Sequence, residues 1–298
     1  MGWVGFENHE CHQLFQLQHF STTNGLLQLV TNVFLLLFII IANSVVVYGL
    51  LATKQTKSFT NRMFIMISIG DFLCGCIVIP LYLVNIYLGE GLKDCIVLSK
   101  VETGTYILFS FGSSLNIFAL TLDRFLFIRF PFKYHVVTMK KRVIMLVMTT
   151  SFSVGITMVI LGDNDQLFAF VASITILFVL TTSLVVNVML VMYIRKQRRE
   201  IRRMSNTFVK TSYKRRATKT VFILTIILVV THLPQVIFLS YTSFVVNPSY
   251  ENNERQQFFL IFLWLRLLGL LNAGLNALVF ISRNKGIIDF YKKKFKLI

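Results

Sequence analysis

Asp71 is an acid set in an apolar run, ISIGDFLCG, with no lysine or arginine near it along the chain. An ionised side chain at the centre of a membrane helix costs on the order of 2.5 to 3.5 kcal/mol on insertion scales, so it needs a partner or a function. Three further stretches supply four polar groups of the right kind: Asn43 in IANSVVV, Ser113 in FGSSLN, and Asn272 with Asn276 in NAGLNALVF. Oxygen-bearing side chains around one carboxylate suit a hard cation, sodium with water being one occupant. The competing reading is a hydrogen-bonded network of protein and water. No spacing of Cys, His, Asp or Glu suggests a transition metal, and no Gly-rich phosphate loop or nucleophile elbow points to an enzyme.

A second pattern lies between Glu102 and Arg124. Glu102, Tyr106, Phe109, Ser113, Asn116, Leu120 and Arg124 follow helical spacing and share one face. The 22 residues from Glu102 to Arg124 span about 33 Å at helical rise, enough to put one charge near each side of a bilayer. Arg266 and His232 are further ionisable groups in apolar surroundings, and Glu102 and Arg266 meet a ligand, pair with each other, or snorkel to the outer surface. His232 is either a sensor group titrating near neutrality or a hydrogen-bonded core histidine.

These residues require long helices to hold them. Seven stretches reach the roughly 20 apolar residues that a membrane crossing demands. They run over Gly25 to Leu51, Met63 to Leu88, Ile96 to Ile128, Val143 to Leu161, Leu167 to Ile194, Thr220 to Val246 and Phe258 to Ile281. The expected fold is therefore all-α, a seven-transmembrane helix bundle over 25–282, preceded by an extracellular segment 1–24. Residues 283–298 follow as a cytoplasmic amphipathic helix, with Ile287, Phe290, Tyr291 and Phe295 toward lipid. Composition agrees, with 55% hydrophobic and 14% charged residues among 298. A net charge of +17 would otherwise suggest nucleic acid, but such a surface has no use for long charge-free runs.

The charge instead sets orientation. Of the 30 lysines and arginines, 26 are Arg124 at the end of the third span or fall in the segments after the first, third and fifth spans and in the tail. Those segments belong in the cytoplasm, which leaves the N-terminus outside. The first span is expected to insert as its own signal, since residues 1–24 have no basic start followed by an apolar core. Cys11 and Cys95 lie on the outer side, as a disulfide or as two free thiols.

In this order the residues resemble the rhodopsin-like family of G-protein-coupled receptors over nearly the whole chain. LTLDRFLFIRFPFKY at 120–134 looks like the family's Asp-Arg-Tyr segment, with Asp123 and Arg124 kept and Phe125 at the Tyr position. Asn43, Asp71 and Pro234 fall where that family has its signature Asn, Asp and Pro, and Tyr193 resembles its inner fifth-span tyrosine. NALVF at 276–280 resembles Asn-Pro-x-x-Tyr, with Ala277 and Phe280 as departures. The resemblance implies a plasma-membrane receptor coupled to a heterotrimeric G protein through Asp123, Arg124 and Tyr193. It implies a ligand pocket at Glu102, Tyr106, His232 and Arg266 for a small molecule, lipid or peptide. It implies a sodium-sensitive network of Asp71, Asn43, Ser113, Asn272 and Asn276.

The departures carry expectations too. His232 stands where the sixth span usually has a tryptophan, and YKRRATK at its inner end offers Arg124 no acid, which predicts raised basal activity. The second outer loop is short and has no cysteine, and the fifth span lacks proline, a pattern similar to the melanocortin, cannabinoid and lysophospholipid receptor branch. The seventh span has no lysine for a retinal Schiff base, and Tyr106 replaces the aspartate of aminergic receptors. The rival class is a seven-span channel or transporter with Asp71 in an ion path.

Overall fold

The computed structural model describes residues 23–57, 59–88, 95–130, 165–204, 211–245 and 252–295. Its elements are α1 (Thr23–Ala52), a 3₁₀ turn (Gln55–Lys57), α2 (Phe59–Leu73), a π turn (Cys74–Val78) and α3 (Ile79–Leu88). They continue with α4 (Cys95–Arg129), α5 (Asp165–Met204), α6 (Thr211–Val245), α7 (Asn252–Arg283) and α8 (Lys285–Lys294). Among the described residues there are six segments long and apolar enough to cross a membrane. The expected fourth span, Val143 to Leu161, lies outside the described residues, as does Cys11.

Helices satisfy their own backbone hydrogen bonds, which makes them one of the few structures that hydrocarbon tolerates. Here α1 packs against α2 and α7, α7 against α6, α6 against α5, and α5 against α4, which returns to α2 and closes a ring. α4 also meets α3, α6 and α7, and so forms an inner post. Leu26, Val30, Phe34, Leu37 and Ile41 of α1, with Val185, Met189 and Met192 of α5, remain exposed on the outside of the ring, where lipid replaces water as solvent.

The second span carries a π turn within its helix. Pro80 has no N–H to donate, and its ring crowds the carbonyl four residues back, at Cys76. The π turn directly ahead of it widens the helix at that carbonyl and adds a residue to the turn. Cys74, Val78 and Tyr82 are consequently buried, while Cys76 is exposed.

Two apolar layers fill the ring. One contains Leu35, Ile39, Val78, Ile107, Leu267 and Leu270. The other, toward the end that carries the basic segments, contains Val46, Leu50, Phe64, Ile117, Leu120, Leu228 and Phe280. Asn43, Asp71, Ser113 and Asn276 each fall between residues of the two layers along their own helices, so they make a polar stratum through the core.

α8 departs from the expected lipid-facing arrangement. Ile287 is fully buried against the bundle, where Gly49 leaves room: a Cβ at position 49 would stand 3.1 Å from the Ile287 Cγ2. The Tyr291 hydroxyl donates to the Val45 carbonyl at 3.0 Å, and Lys294 Nζ donates to the Tyr48 hydroxyl at 3.0 Å. Ile287 and Tyr291 thus dock the helix on α1, and Phe295 stays exposed with its ring stacked on Tyr291 at 6.2 Å between centroids. Asn284 caps the helix by accepting from the Ile287 N–H at 3.3 Å.

Candidate functional site

The polar stratum centres on Asp71. The Asn276 side-chain amide donates to Asp71 Oδ2 at 3.2 Å and to Ser113 Oγ at 3.4 Å, so α2, α4 and α7 meet at one nitrogen. Asn272 is equally buried, one helical turn before Asn276. The side-chain oxygens of Asn272 and Asn276 have no hydrogen-bond partner among the described residues. Asn43 does not touch Asp71; its amide donates to the Ile39 carbonyl at 2.9 Å and the Ala273 carbonyl at 3.2 Å, tying α1 to the α7 backbone. Beside the carboxylate lies a cavity of about 10 Å³, room for roughly one water, bounded by Asp71, Ser113, Asn272, Ser110 and His232.

Toward the opposite end from the basic segments, Glu102 and Arg266 pair across α4 and α7. Arg266 Nη1 donates to Glu102 Oε2 at 3.2 Å and Nη2 donates to Oε1, a two-pronged arrangement in which both residues are buried. The guanidinium also faces two aromatic rings, with its Cζ 4.4 Å from the Tyr106 centroid and 4.7 Å from that of Tyr82. Tyr106 in turn donates to Gln235 Oε1 at 2.8 Å, linking α4 to α6 next to Pro234. Glu102 and Arg266 thus pair with each other in this structure.

His232 is buried with both ring nitrogens engaged. Nδ1 lies 3.2 Å from the Leu228 carbonyl and 3.0 Å from Thr231 Oγ1, while Nε2 lies 2.9 Å from Ser110 Oγ. A carbonyl can only accept, so Nδ1 carries the proton and Nε2 accepts from Ser110, a pattern that the neutral ring completes by itself.

At the basic end Arg124 donates to Asp123 Oδ2 from Nη2 at 2.8 Å and from Nε at 3.1 Å, and its Nη2 also donates to Thr60 Oγ1. The adjacent acid and a threonine of α2 hold the arginine in place. Tyr193 is not brought to Arg124; its ring lies beneath Arg129, with the guanidinium 5.1 Å from the centroid. The basic end of α6 up to Thr218 lies outside the described side chains. Further out on α6, Thr225 Oγ1 accepts from Asn187 Nδ2 at 2.6 Å, and the same amide reaches Thr121 Oγ1 at 3.3 Å, a buried tie among α4, α5 and α6.

Sequence reasoning missed Tyr82, Gln235, Ser110, Thr60 and the Asn187 tie. Gln235 and Asn187 had the same signal as Asn43, an amide within an apolar span, and could have been found by it. Tyrosine, serine and threonine are ordinary in such spans, and nothing short of a packed partner distinguishes one from another.

The fold agrees with comparisons to known proteins. The model of the 7 transmembrane receptor (rhodopsin family) matches residues 42–279. The chain is also similar to trace amine-associated receptor 1 of Mus musculus, at 26% identity over 136 residues, a stretch covering 42% of this chain and 39% of that receptor. The match therefore spans about two fifths of the relative's length. With its polar stratum, its buried Asp-Arg pair and a family match over most of its length, this membrane-embedded chain belongs to the rhodopsin family of G-protein-coupled seven-transmembrane receptors.

Proposed function

We propose that this receptor binds an extracellular ligand among α4, α6 and α7, at Glu102, Tyr106, His232 and Arg266, and answers by activating a heterotrimeric G protein at its basic end. One observation carries the reading: a single buried face of α4 holds Glu102, Ser113 of the central stratum, and Arg124. A ligand that binds the open bundle better than the closed one shifts the population, and the G protein reciprocally raises ligand affinity. In this reading Asp123 restrains Arg124 in the closed state, Arg124 meets the G protein in the open one, and Tyr193 turns toward it. Pro234, which interrupts the α6 hydrogen-bond ladder, is the hinge. The basic end faces the cytoplasm of the plasma membrane.

The ligand class follows from the pair. A trace amine receptor is similar to part of this chain, but here the outer acid of α4 already holds Arg266, and Tyr106 stands a turn below it. That arrangement favours a small molecule, lipid or peptide that offers the pocket more than a lone ammonium. Asp71, Ser113, Asn272 and Asn276 suit a sodium ion, with Asn43 in support, because two buried amide oxygens await a partner beside a carboxylate. A cation there would neutralise Asp71 while α2, α4 and α7 stay together. Asp71→Asn should abolish the sodium sensitivity of agonist binding, and retained sensitivity would remove the cation from the account. The receptor reading is tested by ligand-screened G-protein activation in cells with Arg124→Ala as control; ion transport or current without G-protein coupling would overturn it.

A further inference from the structure

The Glu102–Arg266 pair has an unusual distribution of contacts along the arginine. Both hydrogen bonds come from the terminal nitrogens, and both aromatic contacts are made by the guanidinium carbon. Nε, the nitrogen nearest the stem, is buried with no hydrogen-bond partner among the described residues. The head group is therefore gripped where a free small cation could also be gripped, and the nitrogen that joins it to its chain adds no hydrogen bond. One of the two rings is held as well. Tyr106 is anchored by its bond to Gln235, and Gly269 leaves space for it: a Cβ at position 269 would sit 2.7 Å from the Tyr106 hydroxyl.

We propose that Glu102, Tyr82 and Tyr106 form a binding cage for planar guanidinium and amidinium cations, which Arg266 fills from within the chain. A carboxylate that accepts two parallel N–H bonds selects a flat fork over a compact ammonium, and the flanking rings reward a weakly hydrated, delocalised cation. The cage lies between α2–α3, α4 and α7, so the internal cation holds three helices together. Its consequence for signalling rests on the receptor reading above: a ligand reaching Glu102 must exchange with Arg266, and would release α7 from α4 as it does so.

The binding claim is tested on the purified full chain in nanodiscs by thermal melting, which involves no G protein and so fails independently of the receptor reading. Arg266→Ala empties the cage. Methylguanidinium at millimolar concentration should raise the melting midpoint of that variant by about 2 °C or more, with a smaller shift for methylammonium at equal concentration. Wild type should not respond, because its cage is full, and Glu102→Gln/Arg266→Ala should not respond, because the fork has no carboxylate. An Arg266→Ala chain recovered only when methylguanidinium is present through extraction would support the cage equally. An unchanged midpoint, an equal shift in the double variant, or loss of Arg266→Ala in both buffers would overturn it.

Discussion

At the residue scale the core depends on charges that have been neutralised locally. Removing one member of a buried pair strands the other, at a cost of about 3–5 kcal/mol. Glu102→Ala should therefore lower thermal stability more than Glu102→Ala/Arg266→Met, in which no charge is left behind; equal losses would mean that the pair is not desolvated. Asn276→Ala removes the amide that bridges Asp71 and Ser113, and a hydrogen bond to a charged group contributes about 1.5–3 kcal/mol. Its melting midpoint should fall accordingly, and an unchanged midpoint would show that the bridge contributes nothing. Asp71, Asn276, Glu102 and Arg266 were all legible in the sequence, because a charge or an amide in an apolar run must be explained. Tyr82 and Thr60 were not. A tyrosine or threonine fits an apolar helix without a partner, and only the packing of α3 against α7, or of α2 against α4, gives its hydroxyl or ring a role.

At the scale of elements, glycines report how closely helices approach. Gly269→Ala would push a methyl from α7 into the Tyr106 hydroxyl of α4 and the Gln235 Oε1 of α6, whereas a methyl at Gly70 meets nothing within 4 Å. Gly70→Ala should thus be neutral or stabilise by up to about 1 kcal/mol, and Gly269→Ala should destabilise; melting curves that rank the two in reverse would contradict the packing. Ile287→Ala should loosen α8, since removing a buried isoleucine side chain costs about 2–5 kcal/mol, and a spin label at Lys292 should gain mobility. The helices themselves could be read from apolar run length, which is a local property. The π turn at Cys74–Val78 and the seating of Ile287 could not. Pro80 announces a disturbance without saying whether the helix kinks or widens, and an amphipathic tail shows an apolar face without saying whether lipid or Gly49 receives it.

At the scale of the whole molecule, the +17 net charge resolves into an asymmetry, with 26 of 30 basic residues at one end. That asymmetry was legible because it needs only counting. How that basic end is held was not, because the contact of Thr60 with Arg124 joins residues far apart in the chain. Arg124 rests on Asp123 and Thr60, and the YKRRATK segment of the sixth span contains no acid to pair with it. In the receptor reading proposed above, the closed state therefore has no acidic restraint from that segment, and basal signalling should be raised. The most direct measurement is nucleotide exchange on purified heterotrimeric G proteins of each major class, added to membranes with the chain, without it, or with Arg124→Ala at equal surface density. Exchange above the chain-free level for at least one class, lost in Arg124→Ala, is the predicted result. Exchange indistinguishable from chain-free membranes for every class would contradict the account.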